Sequence, residues 1–282
     1  MDFRELAGQG VLITGSAGGI GFALARAFQA GGAKVFLSDV NRERLAESAR
    51  ELGVPSAACD VREAASVDGL FDDAWEALDG IDLLCSNAGV IRTGSLLEVS
   101  RAEIDFHFDV NVWGVLNTVR SFHRLLRAAG RGGHILMTGS EASLSNPAYV
   151  RGMGTHLYNM SKHSVLSMAD VLRDELEAEG IGVSVLCPGA VATELSQHSE
   201  ALQPAAAKAR EPRARAPVSK ELLEIMMTRT RPPEEIAAIA IAGLRRGLFV
   251  IPTHPHIEED VAERHGEIQR GLRALKAMRT GD

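Results

Sequence analysis

The chain has 282 residues, 45% of them hydrophobic and 24% charged, which fits one large α/β domain whose core needs no disulfide or metal staple. Its formal net charge of −7 argues against a nucleic-acid or membrane-surface binder. The longest apolar stretch, Ile236 to Leu244, is too short to span a bilayer.

Short β-branched runs alternate with longer amphipathic stretches along the whole chain, the pattern of repeated βαβ units. Met1 to Glu5 lead straight to the first strand, Val11–Thr14, leaving no room for a signal peptide; a cytoplasmic protein is expected. A helix over Gly21–Ala30 follows, then a strand at Lys34–Ser38 ending on Asp39, and a helix over Arg42–Leu52 with Asn41 as N-cap. Ser56–Cys59 reads as a weak strand, Ala64–Leu78 as a helix and Ile81–Cys85 as a strand. Ser100 and Glu103 fit a capping box opening a long helix over Arg101–Ala128. His134–Thr138 is a strand, His156–Glu179 a second long helix, and Gly182–Leu186 a strand stopped by Pro188-Gly189. Helices over Ser219–Met227 and Pro233–Arg245, a strand at Leu248–Ile251 and a charged helix over Glu258–Met278 complete the series.

Near-continuous apolar strands imply a sheet covered on both faces, so the expected fold is a doubly wound, Rossmann-type parallel sheet of about seven strands forming a single domain over residues 1–282. Residues 194–231 are expected to be a mobile excursion near the substrate, and 252–282 a helical tail. Within the excursion, Gln203–Pro217 is Ala, Pro, Arg and Lys with almost no large apolar residue. Cys59, Cys85 and Cys187 each close an apolar run and read as buried thiols. Thr253-His254-Pro255-His256 reads as a surface polar segment.

Thr14-Gly15-Ser16-Ala17-Gly18-Gly19-Ile20-Gly21 lies between a strand and a helix, where a phosphate-binding turn belongs. Its spacing is G-x-x-x-G-x-G, with glycines that permit a tight turn, close approach of a pyrophosphate and helix–strand packing. The helix N-terminus offers free N–H groups to phosphates. Asp39, at the end of the second strand, can accept both ribose hydroxyls of an adenosine and repel a 2′-phosphate, which favours NAD over NADP. Arg42 and Arg44 could reach such a phosphate, or form a solvated helix face.

Tyr158 and Lys162 share one face of a helix. An ammonium there is expected to lower the phenol's pKa and make Tyr158 an acid/base near neutrality. Ser140, directly after the fifth strand, reaches the crevice beyond the strand ends, though Ser143 and Ser145 are close by.

Together these features resemble the short-chain dehydrogenase/reductase family over roughly residues 6 to 252. The carriers are the Thr14–Gly21 turn, Asp60-Val61, Ser86-Asn87-Ala88-Gly89, Asn111, Ser140, Tyr158-x-x-x-Lys162 and Pro188-Gly189-Ala190-Val191-Ala192-Thr193. The resemblance implies an NAD(P)-dependent alcohol dehydrogenase or ketone reductase with Asn111, Ser140, Tyr158 and Lys162 as the catalytic set. It implies that Gly15, Ser16, Gly19, Ile20 and Gly21 receive the cofactor, with Asp60 and Val61 beside the adenine. Asn87, Ala88 and Gly89 would lie near the nicotinamide ribose, which Lys162 also holds next to Tyr158. Pro188, Gly189, Val191 and Thr193 would form the loop against the carboxamide or phosphates. Asn111 would bend its helix around a water relaying protons to Lys162. Two departures stand out: Ser86 replaces a more usual Asn, and the Ser140–Tyr158 gap is several residues longer than usual.

Substrate contacts are expected from Glu141–Leu157 and Glu194–Arg231, where Leu144, Tyr149, Met153, Leu195, Met226 and Met227 suggest an apolar pocket. Lys208, Arg210, Arg213 and Arg215 could draw in an anion or simply be solvated. The tail is similar to that of bacterial members acting on bulky, often aromatic or alicyclic, secondary alcohols. The partner expected is therefore a small-molecule alcohol or ketone, with no nucleic acid, no membrane and no metal. The resemblance also implies a homotetramer or homodimer built through the two long helices. An NADPH-dependent ketone reductase, or a protein that senses NAD(H) without turnover, remain the alternatives.

Overall fold

The computed structural model describes residues 3–147, 154–203, 224 and 227–280. Seven parallel strands form one sheet: β1 (Gly10–Thr14), β2 (Lys34–Asp39), β3 (Ser56–Ala58), β4 (Leu83–Ser86), β5 (Gly133–Thr138), β6 (Ile181–Cys187) and β7 (Val250–Pro252), in the order β3-β2-β1-β4-β5-β6-β7. The doubly wound fold expected from the alternating pattern is the fold found. Because β1 is flanked by β2 on one side and β4 on the other, the strand order reverses at β1. The loops leaving β1 and β4 therefore part around a crevice at their C-terminal ends.

Helices α1 (Gly19–Ala30), α2 (Arg42–Leu52) and a later helix, Pro233–Arg245, cover one face. The other face carries α3 (Ala64–Leu78), α4 (Arg101–Phe108), α5 (Gly114–Ala129) and α6 (His156–Leu176). Strand alternation assigns the side chains: Val11, Ile13, Leu37, Leu83, Cys85, Leu136 and Leu186 pack toward α1, while Leu12, Phe36, Leu84, Ile135, Met137 and Val185 pack toward α3, α5 and α6. With both faces covered, the strands have no solvated side, which is why their sequences are apolar without alternation. Among the described residues, α7 (Leu195–Ala201), α8 (Pro233–Arg245) and α9 (Ile257–Thr280) follow.

Local signals match closely. Asn41 caps α2 by accepting from Arg44 N at 3.1 Å, and Ser100 and Glu103 form the capping box of α4. The expected Arg101–Ala128 helix is continuous but not uniform, since one π-helical turn, Asp109–Trp113, joins α4 to α5 with Asn111 inside it. The last strand begins at Val250 rather than Leu248, because only Val250 to Pro252 pair with β6. Thr253 and His254 are buried, not surface residues as their polarity suggested. Cys59, Cys85 and Cys187 are buried free thiols. Most of the expected Ser219–Met227 helix and most of Gln203–Pro217 lie outside the described residues, as do Tyr149, Met153, Lys208, Arg210, Arg213, Arg215 and Met226. Among the described residues no helix is long and apolar enough to cross a membrane.

Candidate active site

A cleft of about 790 Å³ opens along the C-terminal ends of the strands. At the β1–β2 end it is lined by Gly15, Ala17, Gly18, Gly19, Ile20, Asp39, Asp60 and Val61. Two glycines there are required by geometry. Gly15 has φ +64°, and a Cβ on it would lie 2.7 Å from Ala88 Cα. Gly21 sits so close under the turn that a Cβ would lie 2.2 Å from Gly15 O. Gly18 gives α1 an N-cap without any side-chain bond, so no side chain competes for its first-turn N–H groups. Asp39 Oδ2 accepts from Ala17 N at 3.1 Å and Oδ1 from Asn41 N at 3.0 Å, which fixes the carboxylate at the strand end.

Not every expected cofactor residue reaches the cleft by its side chain. The Ser16 hydroxyl turns inward, accepting from Ser38 N at 2.9 Å and stitching the turn to β2, and Gly21 packs beneath the turn. The Asp60 carboxylate is held by Arg62 through bonds of 2.6 and 2.9 Å, and that hydrogen-bonded guanidinium keeps its pKa below the usual range. Arg44 is partly exposed and lines the cleft with Asp39, where it pairs with Glu194 Oε2 at 2.7 Å and touches the His198 ring. That contact ties α2 to the segment after β6. Thr193 completes the closure, its Cγ2 lying 3.1 Å from where a Gly19 Cβ would stand.

Asn87 joins the two halves of the cleft. Its Nδ2 donates to Gly15 O at 2.9 Å and Thr14 O at 3.1 Å, and its Oδ1 accepts from Thr138 Oγ1 at 3.0 Å. Ser86, the departure noted beside it, hydrogen-bonds Thr118 at 2.9 Å, so a hydroxyl suffices at that position.

At the β5–β6 end, Ser140, Tyr158 and Lys162 line the cleft together with Ala88, Gly89, Pro188, Gly189, Val191 and Thr193. Ser143 and Ser145 do not line it. The Ser143 hydroxyl donates to Lys162 O at 2.7 Å and accepts from Ser140 N at 3.1 Å, so it braces the site from behind. Lys162 Nζ donates to Thr138 O at 2.8 Å and stands 5.7 Å from the centre of the Tyr158 ring. Asn111 does not line the cleft. Its Oδ1 accepts from Val90 N at 2.8 Å, and its Nδ2 donates to Val90 O and Ser161 Oγ, both at 2.9 Å.

The electrostatics differ from the sequence expectation. Part of the Tyr158 side chain is open to the cleft, yet packing around the phenol desolvates it and pushes its pKa up to about 12, against a lowering from its hydrogen bond with Ser140. Burial likewise brings the Lys162 ammonium down to about 8. The ammonium points to a carbonyl rather than to the phenol oxygen, so it does not offset the desolvation. At neutral pH the phenol is therefore protonated, while the ammonium, lowered only to about 8, still carries its charge.

Glu141 opens the stretch expected to contact substrate, but the sequence gives it no role of its own. It is 4% exposed, it lines the cleft next to Ser140, and its Oε2 lies 3.0 Å from His256 Nε2, at an angle too oblique for a hydrogen bond. Desolvation pushes the Glu141 carboxyl up to about 8 and the His256 imidazole down to about 4, so at neutral pH neither carries its charge. His254 supports the loop below, its Nδ1 accepting from Gly189 N at 3.1 Å. A carboxylate directly after a strand-end serine was a visible signal; its partner, more than a hundred residues away, was not.

Comparison with known proteins agrees with this geometry. The family model for short chain dehydrogenase matches residues 9–203. The 1-deoxy-11-beta-hydroxypentalenate dehydrogenase of Streptomyces avermitilis is 38% identical over 193 residues, covering 66% of this chain and 70% of that protein. A sorbitol dehydrogenase of Cereibacter sphaeroides is 35% identical over 190 residues, covering 66% and 72%. Among solved structures, a short chain dehydrogenase/reductase from Burkholderia phymatum in complex with NAD superposes with a TM-score of 0.85 at 32% identity, covering 95% of this chain and 96% of that one.

Proposed function

Because the chain belongs to the short-chain dehydrogenase/reductase family, and is thus an alcohol oxidoreductase, we propose that it interconverts a hydrophobic secondary alcohol and its ketone with NAD. One observation carries this reading: Ser140, Tyr158 and Lys162 share a single cleft with the glycine turn and Asp39.

The residues fit the dinucleotide. A Cβ at Gly15 would fill the turn, the first N–H groups of α1 have no side-chain cap, and Asp39 stands at the strand end. Asp39 would hold the adenosine ribose, Gly18 to Ile20 the pyrophosphate, and Gly189, Val191, Thr193 and Lys162 the nicotinamide half. Preference for NAD over NADP is supported by the Asp39 carboxylate and by the engagement of Arg44 with Glu194. Bound there, the oxidised cofactor supplies a hydride-accepting carbon and a positive charge that favours the phenolate.

The protein's own groups then govern the proton and the geometry. Ser140 donates to the substrate oxygen and steadies the charge that develops on it. Tyr158 takes the hydroxyl proton in oxidation and returns it in reduction. Lys162, anchored on Thr138 O, keeps a cation beside the phenol. Asn111 holds the turn before Val90 and, through Ser161, the first turns of α6 that carry Tyr158. Leu195 and Ile91 give the substrate end an apolar wall.

The test is a panel of secondary alcohols offered with NAD⁺ and with NADP⁺, followed by absorbance of the reduced nicotinamide. Turnover of bulky apolar alcohols, faster with NAD⁺, is expected. Tight NADH binding with no turnover across alcohols and ketones would instead make the protein a nucleotide sensor.

A further inference from the structure

Helix α9 is 24 residues long, which makes it roughly 36 Å. Its start is anchored: Ile257 is buried, and Arg264 reaches the His163 ring on α6. Beyond Arg264 none of its described residues is buried. An isolated helix gains little from its own hydrogen bonds, and the interior glycines Gly266 and Gly271 weaken it further. Helices of this kind are held by an apolar stripe packed against something.

The stripe is present. At 3.6 residues per turn, Ile257, Val261, Ile268, Leu272 and Leu275 fall within an arc of about 60°. Ile268, Leu272 and Leu275 are 55%, 47% and 51% exposed. Charge is segregated along the same helix. Glu258, Glu259, Asp260, Glu263 and Glu267 outnumber Arg264 in the first half, and Arg270, Arg273, Lys276 and Arg279 occupy the second. Acids first and bases last also suit the helix's own dipole, but that does not account for an uncovered apolar stripe.

We propose that α9 is a self-association element, its apolar stripe covered by α9 of a second copy of this chain packed antiparallel. Charge selects both the occupant and the direction. Antiparallel pairing of identical helices lays the acidic half of one along the basic half of the other, whereas parallel pairing stacks like charge on like charge. With Ile268 near the twofold axis, Val261 of one copy comes level with Leu275 of the other and Ile268 with its own copy, the reciprocal pairing that an isologous interface requires. The inference does not depend on the proposed reaction, because its readout is assembly.

Light scattering of the full chain is compared with that of Ile268→Glu/Leu272→Glu. The variant is expected to have half the native mass, with unchanged circular dichroism of the domain and unchanged NADH binding. An unchanged mass, or a native protein that is monomeric, overturns the proposal. Direction is read by mixing Val261→Cys protein with Leu275→Cys protein under mild oxidation, the native thiols being buried. Cross-linking between the two variants, with little within either, is the expected result. Cross-linking within each variant alone would mean a parallel pair and overturn the arrangement. Retained mass in the Glu variant with its stripe protected from proteolysis would mean that another segment of the same chain covers α9, which also overturns it.

Discussion

The two ends of the cleft are built on different terms. The β1–β2 end is made from backbone: a turn at φ +64°, an uncapped helix start and one carboxylate at a strand end. The β5–β6 end is made from side chains that arrive from separate parts of the chain, with Ser140 and Glu141 after β5, Tyr158 and Lys162 on α6 and Thr193 after β6, and with His256 before α9 behind Glu141. The first end depends on space and N–H direction, the second on proton affinities set by burial. Damage at one end should therefore be separable from damage at the other.

The widest separation is expected from Tyr158→Phe. Loss of a positioned acid/base lowers kcat by about 10² to 10⁴-fold. The affinity for NADH, measured by fluorescence titration, should change little, because the phenol contributes only a rim to the nucleotide end. Turnover equal to the native protein's would remove Tyr158 from the mechanism. Gly15→Ala is the converse. A side chain at φ +64°, with its Cβ 2.7 Å from the Ala88 backbone, must displace the turn. NADH affinity should fall roughly tenfold to a hundredfold, while kcat at saturating cofactor stays near native. A fall in kcat matching the loss of affinity would mean that the two ends are one mechanical unit. Asp39→Ser is a smaller change within the nucleotide end. Without the carboxylate, preference for NAD⁺ over NADP⁺, read as the ratio of kcat/KM values, should drop by about tenfold. A constant ratio would assign the discrimination to another group.

The same contrast explains what is legible in the sequence. The nucleotide end was legible because its parts are consecutive: a strand, a spaced set of glycines and an acid at the end of the next strand each declare themselves within a short window. Tyr158 and Lys162 were legible for the same reason, being one helical turn apart. Asn87, Pro188 and Thr193 were reached by resemblance, and only the fold shows Asn87 bridging Gly15 and Thr138. The tuning of Tyr158 was misjudged because pairwise charge can be counted from a sequence whereas desolvation cannot. Spacing gave Lys162 as a neighbour but not that its ammonium is spent on Thr138 O. Arg44–Glu194 and Glu141–His256 each join residues more than a hundred positions apart, and neither partner advertises the other. Thr253 and His254 were misread as surface for a related reason: a polar composition says nothing about the backbone amide of Gly189 that a buried imidazole can serve.

Glu141→Gln should give the smallest effect, and the one that most sharpens the account of the substrate end. Ionised Glu141 places a negative charge near Tyr158 and raises the phenol's pKa. Its own pKa is pushed up to about 8 by burial, with Arg229 acting to lower it and Asp260 to raise it. Well below that pH the carboxyl is neutral and has nothing to remove. Above it, the carboxylate opposes formation of the phenolate that alcohol oxidation requires. In the native protein kcat/KM for oxidation should therefore rise with pH, later than it would without that charge. Glutamine keeps the shape and cannot ionise, so the rising limb should move to lower pH by on the order of one unit, with the two profiles converging on the acid side. Superimposable limbs would mean that the Glu141 carboxyl stays protonated beside His256 throughout, and that burial alone sets the proton affinity of Tyr158.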